Sequence, residues 1–226
     1  MLEKLPEFVG HALQGRRAGL ENLLSNKVPL SGAVFKLEVS SPAFAPEGAL
    51  PVRFTADGDG VAPPLHWGSI PEAAASLVLI VEDADSPTTE PLVHAIAVDL
   101  DPQRVGIAEG ELNESDDEAP IKLGRNSYLQ KTWLPPDPPP GHGVHRYAFQ
   151  LFALTEGKPF SDAPGRKELG EAIRGRAIAA GHLIGTYERS AAIKVEHEEE
   201  LPAGSEDLHR LLPEVPKVGS ADAPGG

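Results

Sequence analysis

The stretch LVLIVEDADSPTTEPLVHAIAV, residues 77–98, contains two apolar runs that are separated by a polar turn. Both runs have the length and the β-branched content of buried strands. Asp83 and Asp85 lie two residues apart after the first run, 77–81. If the strand continues, alternation points both carboxylates to the same face. His94 opens the second run, so the stretch predicts strands that carry ionisable side chains at their ends.

A second polar segment, PPPGHGVHRY at residues 138–147, leads into a third apolar run, which His145 opens. Polar groups that converge at the ends of apolar strands indicate a binding site. A carboxylate such as Asp83 beside an imidazole favours the charged form of the ring. A charged ring and the backbone N–H groups of the turn at 141–144 could together hold a phosphate or a carboxylate. Arg146 alternates with His145, so we expect it on the opposite face, in an ion pair or on the sheet surface.

The rest of the sequence favours an all-β domain. Phe35, Leu37 and Val39 alternate with polar residues, as in a half-buried strand. The helical pattern of 166–184 is the first long one after these strands, so a parallel doubly wound sheet is disfavoured. We therefore predict a Greek-key antiparallel β-sandwich with a few short peripheral helices. Strands are also predicted at 50–55, 77–81, 92–100, 145–154 and 187–195.

Three segments of the chain differ in pattern. Residues 1–31 carry leucines at helical spacing with interrupting glycines, and they predict an N-terminal amphipathic arm. Residues 32–196 are predicted to form the β-sandwich domain, and 197–226 is an acidic, Pro/Gly-rich C-terminal tail. An apolar arm left in water would be an exposed patch, so it is expected to pack on its own domain or on a second copy. Both alternatives stay open at this point, and a symmetric dimer is the commonest oligomer.

The composition argues against several classes of function. The net charge is −14, the pI is near 4.9, and nothing forms a basic stripe. These features disfavour nucleic acid as a partner and docking on anionic membranes. The chain has no cysteine, which excludes disulfides and thiolate chemistry. No stretch approaches a membrane span or the apolar core of a secretion signal. We therefore expect a cytoplasmic protein with no stable membrane insertion.

Four motifs resemble those of the phosphatidylethanolamine-binding proteins, in the same order. DADSP at 83–87 is similar to the family's DPDAP-type motif, and GHGVHRY at 141–147 is similar to its G-x-x-HRY motif. GRNSY at 124–128 and GTYER at 185–189 follow the family pattern as well. The resemblance covers roughly residues 34–190 and is strongest to the bacterial branch that is often called Raf kinase inhibitor-like.

Two positions depart from the family pattern. Ala84 stands where the family usually has proline, and Thr132–Pro135 stands where Gly-Tyr-x-Gly-Pro is usual. Both departures lie close to the predicted site, so they bear on the identity of the ligand more than on the fold.

The resemblance implies a non-catalytic anion-binding pocket that is lined by Asp83, His94 and His145. The implied ligand is the phosphate head group of a phospholipid or of another phosphorylated molecule, with no cofactor and no metal. The bacterial relatives are often described as dimers, so the resemblance favours the homodimer alternative for this chain. The predicted ligand-binding residues are Asp83, Asp85, His94, Gly141, His142, His145 and Tyr147.

Three alternatives accompany this prediction. The resemblance also implies regulators that bind kinases or proteases, with the pocket as a switch and the arm or the tail as the contact with the protein partner. Two histidines and an aspartate could hold a transition metal, although their spacing matches no metal signature. A hydrolase would use Ser86 or Ser127 as nucleophile and His94 as base, although no Gly-x-Ser-x-Gly elbow is present.

Overall fold

The computed structural model describes residues 7–29, 35–113 and 119–189. The predicted tail at 197–226 lies outside these ranges. Three α-helices occur in the described part, α1 (Glu7–Leu13), α2 (Leu24–Lys27) and α3 (Arg166–Arg176), with short 3-10 helices at Leu20–Asn22 and Val52–Phe54. The strands are β1 (Phe35–Lys36), β2 (Val39–Ser40), β3 (Leu65–Trp67), β4 (Ser76–Asp83), β5 (Leu92–Leu100), β6 (Gly106–Ile107), β7 (Lys122–Leu123), β8 (His145–Leu154) and β9 (Ala177–Tyr187).

Two sheets form the domain. The large sheet has the order β1-β9-β8-β4-β5-β7, and the small sheet has the order β2-β3-β6. The chain leaves β5 on one side of β4 and returns as β8 on its other side. All paired strands of the described residues are antiparallel except β1 and β9, which run parallel. The all-β prediction is confirmed, with one parallel pair at the edge.

The large sheet is buried on both faces. On β4, Leu77, Leu79 and Val81 pack towards the small sheet, in the main core. Val78 and Ile80 point the other way, into a second core beneath α2 and α3. Burial on both faces explains why the run at 77–81 is apolar throughout instead of alternating. The short helices therefore form a third layer of the fold and bury one face of the sheet.

Three secondary-structure predictions differ from the structure. The helix ends at Arg176, and 177–187 forms β9, which pairs with β8 along its whole length. This long-range pairing overrides the local helical pattern, as tertiary context commonly does. A strand was also predicted at 187–195, but Tyr187 is the last residue of β9, and 190–195 lies outside the described residues. The segment 50–55 contains a 3-10 helix instead of a strand.

The N-terminal arm packs on its own domain over its described part, 7–29. Leu23 is buried against Ala84 in a small cluster, and Leu24 and Val28 are buried in the core beneath α3. Of the two alternatives for the arm, this is the intramolecular one. Leu23, Leu24 and Val28 are thus covered, whereas Phe8 on α1 is 71% exposed, and the homodimer stays a prediction.

A buried carboxylate fastens the arm to the sheet. Glu82 is fully buried near the end of β4. Its Oε2 accepts hydrogen bonds from the backbone N–H of Leu24 and from Gln150 Nε2, each at 2.7 Å, and its Oε1 accepts one from Arg166 Nε at 2.6 Å. Gln150 Oε1 accepts the backbone N–H of Ser25 at 2.9 Å. A buried charge is costly unless it is fully paired, so the arm is part of the domain's polar interior.

We predict that Glu82→Gln lowers the free energy of unfolding by about 1.5–3 kcal/mol, the usual value of a hydrogen bond to a charged group. Urea denaturation, followed by the fluorescence of buried Trp67 and Trp133, measures the change. Glu72→Gln, at an exposed position, is the control and should stay within about 0.5 kcal/mol of the parent. Equal stability of the two variants would mean that Glu82 does not hold the arm.

Candidate functional site

A cavity of about 540 Å³ opens beside the ends of β4, β5 and β8. Its polar lining includes Asp83, His94 and His145, the three residues that the sequence places at strand ends. The rest of the wall is mainly apolar and includes Pro87, Leu92, Leu134, Pro135, Pro138 and Pro139.

Strand register brings the three polar residues together. Asp83 is the last residue of β4 and lies opposite Tyr147 of β8 on one side and Leu92 of β5 on the other. His94 and His145 are each two residues from those partners, so alternation puts their side chains on the same face as Asp83. The predicted convergence of these three residues is therefore present.

A chain of hydrogen bonds runs from the cavity to the arm. Asp83 Oδ2 and His145 Nδ1 are 2.7 Å apart, and His145 Nε2 lies 2.6 Å from His142 Nδ1. His142 Nε2 lies 2.9 Å from the carbonyl oxygen of Leu13, the last residue of α1. Asp83, His142 and His145 are all buried. Both ring nitrogens of His145 are therefore used within the protein.

These partners assign the protons of the chain. Burial, together with the nearby charge of His145, lowers the pKa of His142, which keeps that ring neutral. A carbonyl oxygen only accepts, so His142 Nε2 carries the proton and donates it to Leu13. His142 Nδ1 is then an acceptor, so His145 Nε2 is its donor. The remaining proton lies between His145 Nδ1 and Asp83 Oδ2.

His94 differs from His145 because one of its nitrogens has no partner. Its Nδ1 lies 2.6 Å from the carbonyl oxygen of Leu134 and therefore donates to it. Its Nε2 is buried without a hydrogen-bond partner among the described residues. Burial lowers the pKa of His94, although the charge of Asp83 opposes the shift. The prediction that a nearby carboxylate favours the charged ring is wrong for His94, because burial outweighs that charge.

Tyr147 lies behind the cavity beside both imidazoles. Its ring contacts His94 edge-on, at 5.1 Å between centroids, and stacks near His145 at 6.4 Å. Burial raises the pKa of Tyr147 well above its ordinary value, and the charge of Asp83 adds to that shift. The hydroxyl therefore stays protonated, and it is buried without a partner among the described residues. Tyr147 is a neutral hydrogen-bond donor next to the site.

Asp85 is not part of the cavity. Its Oδ2 accepts from Arg146 Nε and its Oδ1 from Arg146 Nη2, each at 2.7 Å, and Arg17 Nη1 lies 2.8 Å from Oδ1. Burial alone would raise the pKa of Asp85, but these guanidinium groups lower it to about 2. The same-face prediction for Asp83 and Asp85 is wrong, because β4 ends at Asp83 and Asp85 lies in the following turn. The predicted ion pair of Arg146 is confirmed.

The glycine-rich turn supports the cavity from behind. Gly141 O accepts a hydrogen bond from Gln14 Nε2 at 2.6 Å, and Val144 O accepts one from Arg17 Nη1 at 2.8 Å. Gly141 and His142 are not among the described residues that line the cavity. The turn is thus bonded to the arm, a partner that the sequence patterns did not reveal.

Asp137 is a lining residue that the sequence patterns missed. Its Oδ1 lies 2.6 Å from Arg189 Nη1, and Arg189 Nε also bonds Asp57 Oδ2 at 2.8 Å. Arg189 ends the GTYER motif, and Asp137 lies in the proline-rich segment PPDPPP. The motifs mark both segments in the sequence, but their spacing does not show that Asp137 and Arg189 are in contact.

The geometry also bears on the hydrolase and metal-site alternatives. Ser86 Oγ bonds Asp83 O at 3.2 Å and Thr88 Oγ1 at 2.7 Å, and Ser127 Oγ accepts the backbone N–H of Val93 at 2.8 Å. Both hydroxyls proposed as nucleophiles are thus engaged in hydrogen bonds within the protein. Among the described residues, no group of three or more acidic, histidine or cysteine side chains is arranged to hold a metal ion. In the same ranges, every helix is too short or too polar to cross a bilayer.

Comparisons with known proteins agree with this architecture. A UPF0098 protein of Pyrococcus abyssi is 36% identical over 162 residues, which cover 71% of this chain and 90% of that protein. The crystal structure of a phosphatidylethanolamine-binding protein homologue from Chlamydia trachomatis superposes with a TM-score of 0.61 and 32% identity, over 68% of this chain and 98% of that chain. YbcL of E. coli shares the fold, with a TM-score of 0.62 and 23% identity over 68% of this chain and 98% of its own. The sequence model of one family matches residues 40–188. The chain belongs to the phosphatidylethanolamine-binding protein family.

Proposed function

We propose that this protein binds a small phosphate-type anion, without turning it over, in the cavity lined by Asp83, His94 and His145. The observation that carries the proposal is the buried Nε2 of His94, which has no hydrogen-bond partner among the described residues, on a residue that lines a cavity of about 540 Å³. A buried polar atom without a partner costs about 1–3 kcal/mol. A ligand that supplies a hydrogen bond to this nitrogen recovers that cost on binding.

The protonation of His94 favours phosphate over other anions. A neutral imidazole whose Nδ1 donates to Leu134 presents a lone pair at Nε2. A ligand must therefore donate a proton to this nitrogen, or the ring must take up a proton when the ligand binds. A phosphate group has a second pKa near 6 and can carry both a negative charge and an O–H group close to neutral pH. A carboxylate is fully deprotonated there and lacks such a donor. The site is thus suited to a phosphate or a phosphate monoester.

The acids of the cavity do not oppose an anion, because each is paired. Asp83 shares a proton with His145, and Asp137 is bonded to Arg189. The ring of Tyr147, whose hydroxyl stays protonated, packs edge-on against His94 and adds no negative charge. Among the described lining residues there is no lysine or arginine. Affinity therefore depends on hydrogen bonds and on one proton, instead of on a fixed cation.

The regulatory alternative stays a prediction. A kinase or protease partner would need a contact surface, and the arm that was expected to carry it is packed on the domain over 7–29. A pull-down that compares the full chain with a variant lacking 197–226 tests the tail as the contact. Retention of a partner by the full chain alone would support that alternative.

We predict that His94→Asn weakens phosphate binding about tenfold or more. Asparagine can place its amide N–H near the position of Nδ1 and keep the bond to Leu134, but it has no atom at the position of Nε2. A hydrogen bond to a charged group contributes about 1.5–3 kcal/mol, and 1.4 kcal/mol is tenfold in affinity. Isothermal titration calorimetry with inorganic phosphate measures the change.

The matched control is His182→Asn, at an exposed position of β9. It should bind phosphate like the parent. Equal loss in both variants, or parent-like binding by His94→Asn, would contradict the proposal.

We also predict that phosphate affinity falls as the pH rises. The pKa of free His94 is below its ordinary value because the ring is buried. A bound anion stabilises the protonated ring and raises that pKa, so the complex holds a proton that the free site has lost. Affinity is highest below the lowered pKa of free His94 and falls between it and the pKa in the complex. Titrations at about pH 6 and about pH 8.5 measure this slope.

The variant His94→Asn removes the titrating ring while the phosphate itself still titrates. Its pH dependence is therefore the reference, and the parent should show the steeper decline. Parallel curves for parent and variant would show that His94 takes no part in the proton balance.

A further inference from the structure

We propose that His142 is a positioning residue through which the N-terminal segment 7–19 fixes the protonation and orientation of His145 in the cavity. This inference rests on the proposed function for its effect on affinity. The contact with His145 can be tested without any ligand. The segment lies outside residues 40–188, the part of the chain that matches the family.

His142 connects the segment to the site through two hydrogen bonds. Its Nε2 donates to the carbonyl oxygen of Leu13 at 2.9 Å, and its Nδ1 accepts from His145 Nε2 at 2.6 Å. Leu13 ends α1, where carbonyl oxygens lack partners within the helix. The Leu13 carbonyl also accepts the backbone N–H of Arg16 at 2.8 Å, which holds it in place, and because a carbonyl oxygen only accepts, it selects one tautomer of His142.

The selected tautomer decides which protons His145 carries. In an isolated Asp–His pair, a neutral ring places its proton on the nitrogen that faces the carboxylate, and the other nitrogen is an acceptor. Here the acceptor Nδ1 of His142 keeps a proton on His145 Nε2. The second proton stays between His145 Nδ1 and Asp83. Both protons therefore lie along the Asp83–His145–His142 chain, and they hold the His145 ring in one orientation at the cavity wall.

Side chains of the segment hold the same turn. Gln14 Nε2 donates to Gly141 O at 2.6 Å, and Arg17 Nη2 donates to His142 O at 3.2 Å. The backbone N–H of Ala18 donates to Ser86 O at 3.0 Å, so the segment also touches a loop that lines the cavity. These contacts hold the segment 7–19 against the turn at 141–144 and against the loop that contains Ser86.

Gly10 makes the close approach of α1 possible. A Cβ at Gly10 would overlap the carbonyl oxygen of Pro140 and lie 2.9 Å from the backbone nitrogen of His142. Both neighbours are backbone atoms, so an alanine there must move the helix or the turn. At Gly15, in contrast, a Cβ would meet no atom within 4 Å. Gly10→Ala therefore changes the docking of α1 without altering a cavity residue, and Gly15→Ala is its matched control.

The experiment uses the full chain and two readouts. Long-range ¹H–¹⁵N spectra of the imidazoles report whether His145 Nε2 is protonated, and titration with inorganic phosphate reports affinity. In the parent and in Gly15→Ala, His145 Nε2 should carry the proton that it donates to His142 Nδ1. In Gly10→Ala, a fraction of His145 should change to the Nδ1–H tautomer, and phosphate affinity should fall about fivefold or more.

Substitutions of His142 provide a second and independent test. His142→Phe removes the acceptor and should produce the same tautomer change at His145. His142→Asn can place an amide oxygen near the position of Nδ1 and should restore the protonated Nε2. A His145 spectrum that is the same in the parent, Gly10→Ala and His142→Phe would overturn the proposal.

The two proposals fail in different ways. If the parent does not bind phosphate but His145 changes its tautomer in Gly10→Ala and His142→Phe, the proposed function is wrong and the positioning role of His142 holds. If phosphate binds the parent and Gly10→Ala equally while His145 is unchanged, the positioning role is wrong and the proposed function holds.

Discussion

Two adjacent carboxylates at the end of β4 are buried, and each has to be paired. Glu82 and Asp83 are 0% and 4% exposed, and alternation along the strand points them to opposite faces of the large sheet. Burying a charge without partners costs more than a folded domain can usually sustain. Glu82 therefore takes the backbone N–H of Leu24 in the arm, Gln150 and Arg166 as partners, while Asp83 takes His145. The docking of the arm and the geometry of the cavity both follow from this constraint.

Both departures from the family pattern lie near the cavity, one in contact with the arm and the other in contact with His94. Ala84 packs against Leu23 of the arm, and its N–H donates to Arg146 O at 3.0 Å, a bond that a proline could not make. In the other departure, the carbonyl oxygen of Leu134 orients His94, and Trp133 lies 6.0 Å from its ring. The first departure thus supplies a backbone N–H that proline lacks, whereas the bond to His94 uses a backbone carbonyl that any residue at position 134 would have.

Sequence patterns predicted the parts of the site that depend on local periodicity. Asp83, His94 and His145 stand at strand ends with period-two spacing, so their convergence followed from the sheet. The orientation of Asp85 could not be predicted, because it depends on the exact residue at which β4 ends. The neutral state of His94 depends on burial by Leu134 and its neighbours, forty residues away in the chain. The bond between Leu13 and His142 spans 129 residues, uses a backbone oxygen and leaves no side-chain signal.

The fold shows the same division between local and long-range information. The helix at 166–176 and the long strands β4, β5 and β8 match their sequence patterns. Residues 177–187 carry a pattern that is compatible with a helix, and only pairing with β8 makes them a strand. The cavity depends on long-range information in the same way, because its wall is assembled from β4, β5, β8 and a proline-rich loop.

The central claim is that the unpaired Nε2 of His94 receives the ligand. The most direct measurement is the ¹⁵N chemical shift of this nitrogen in the full chain, before and after saturation with inorganic phosphate. The account predicts a shift from the position of a free, unprotonated nitrogen towards that of a protonated one, while His182 does not change. A His94 Nε2 resonance that stays at its free position in the phosphate-saturated protein would contradict it.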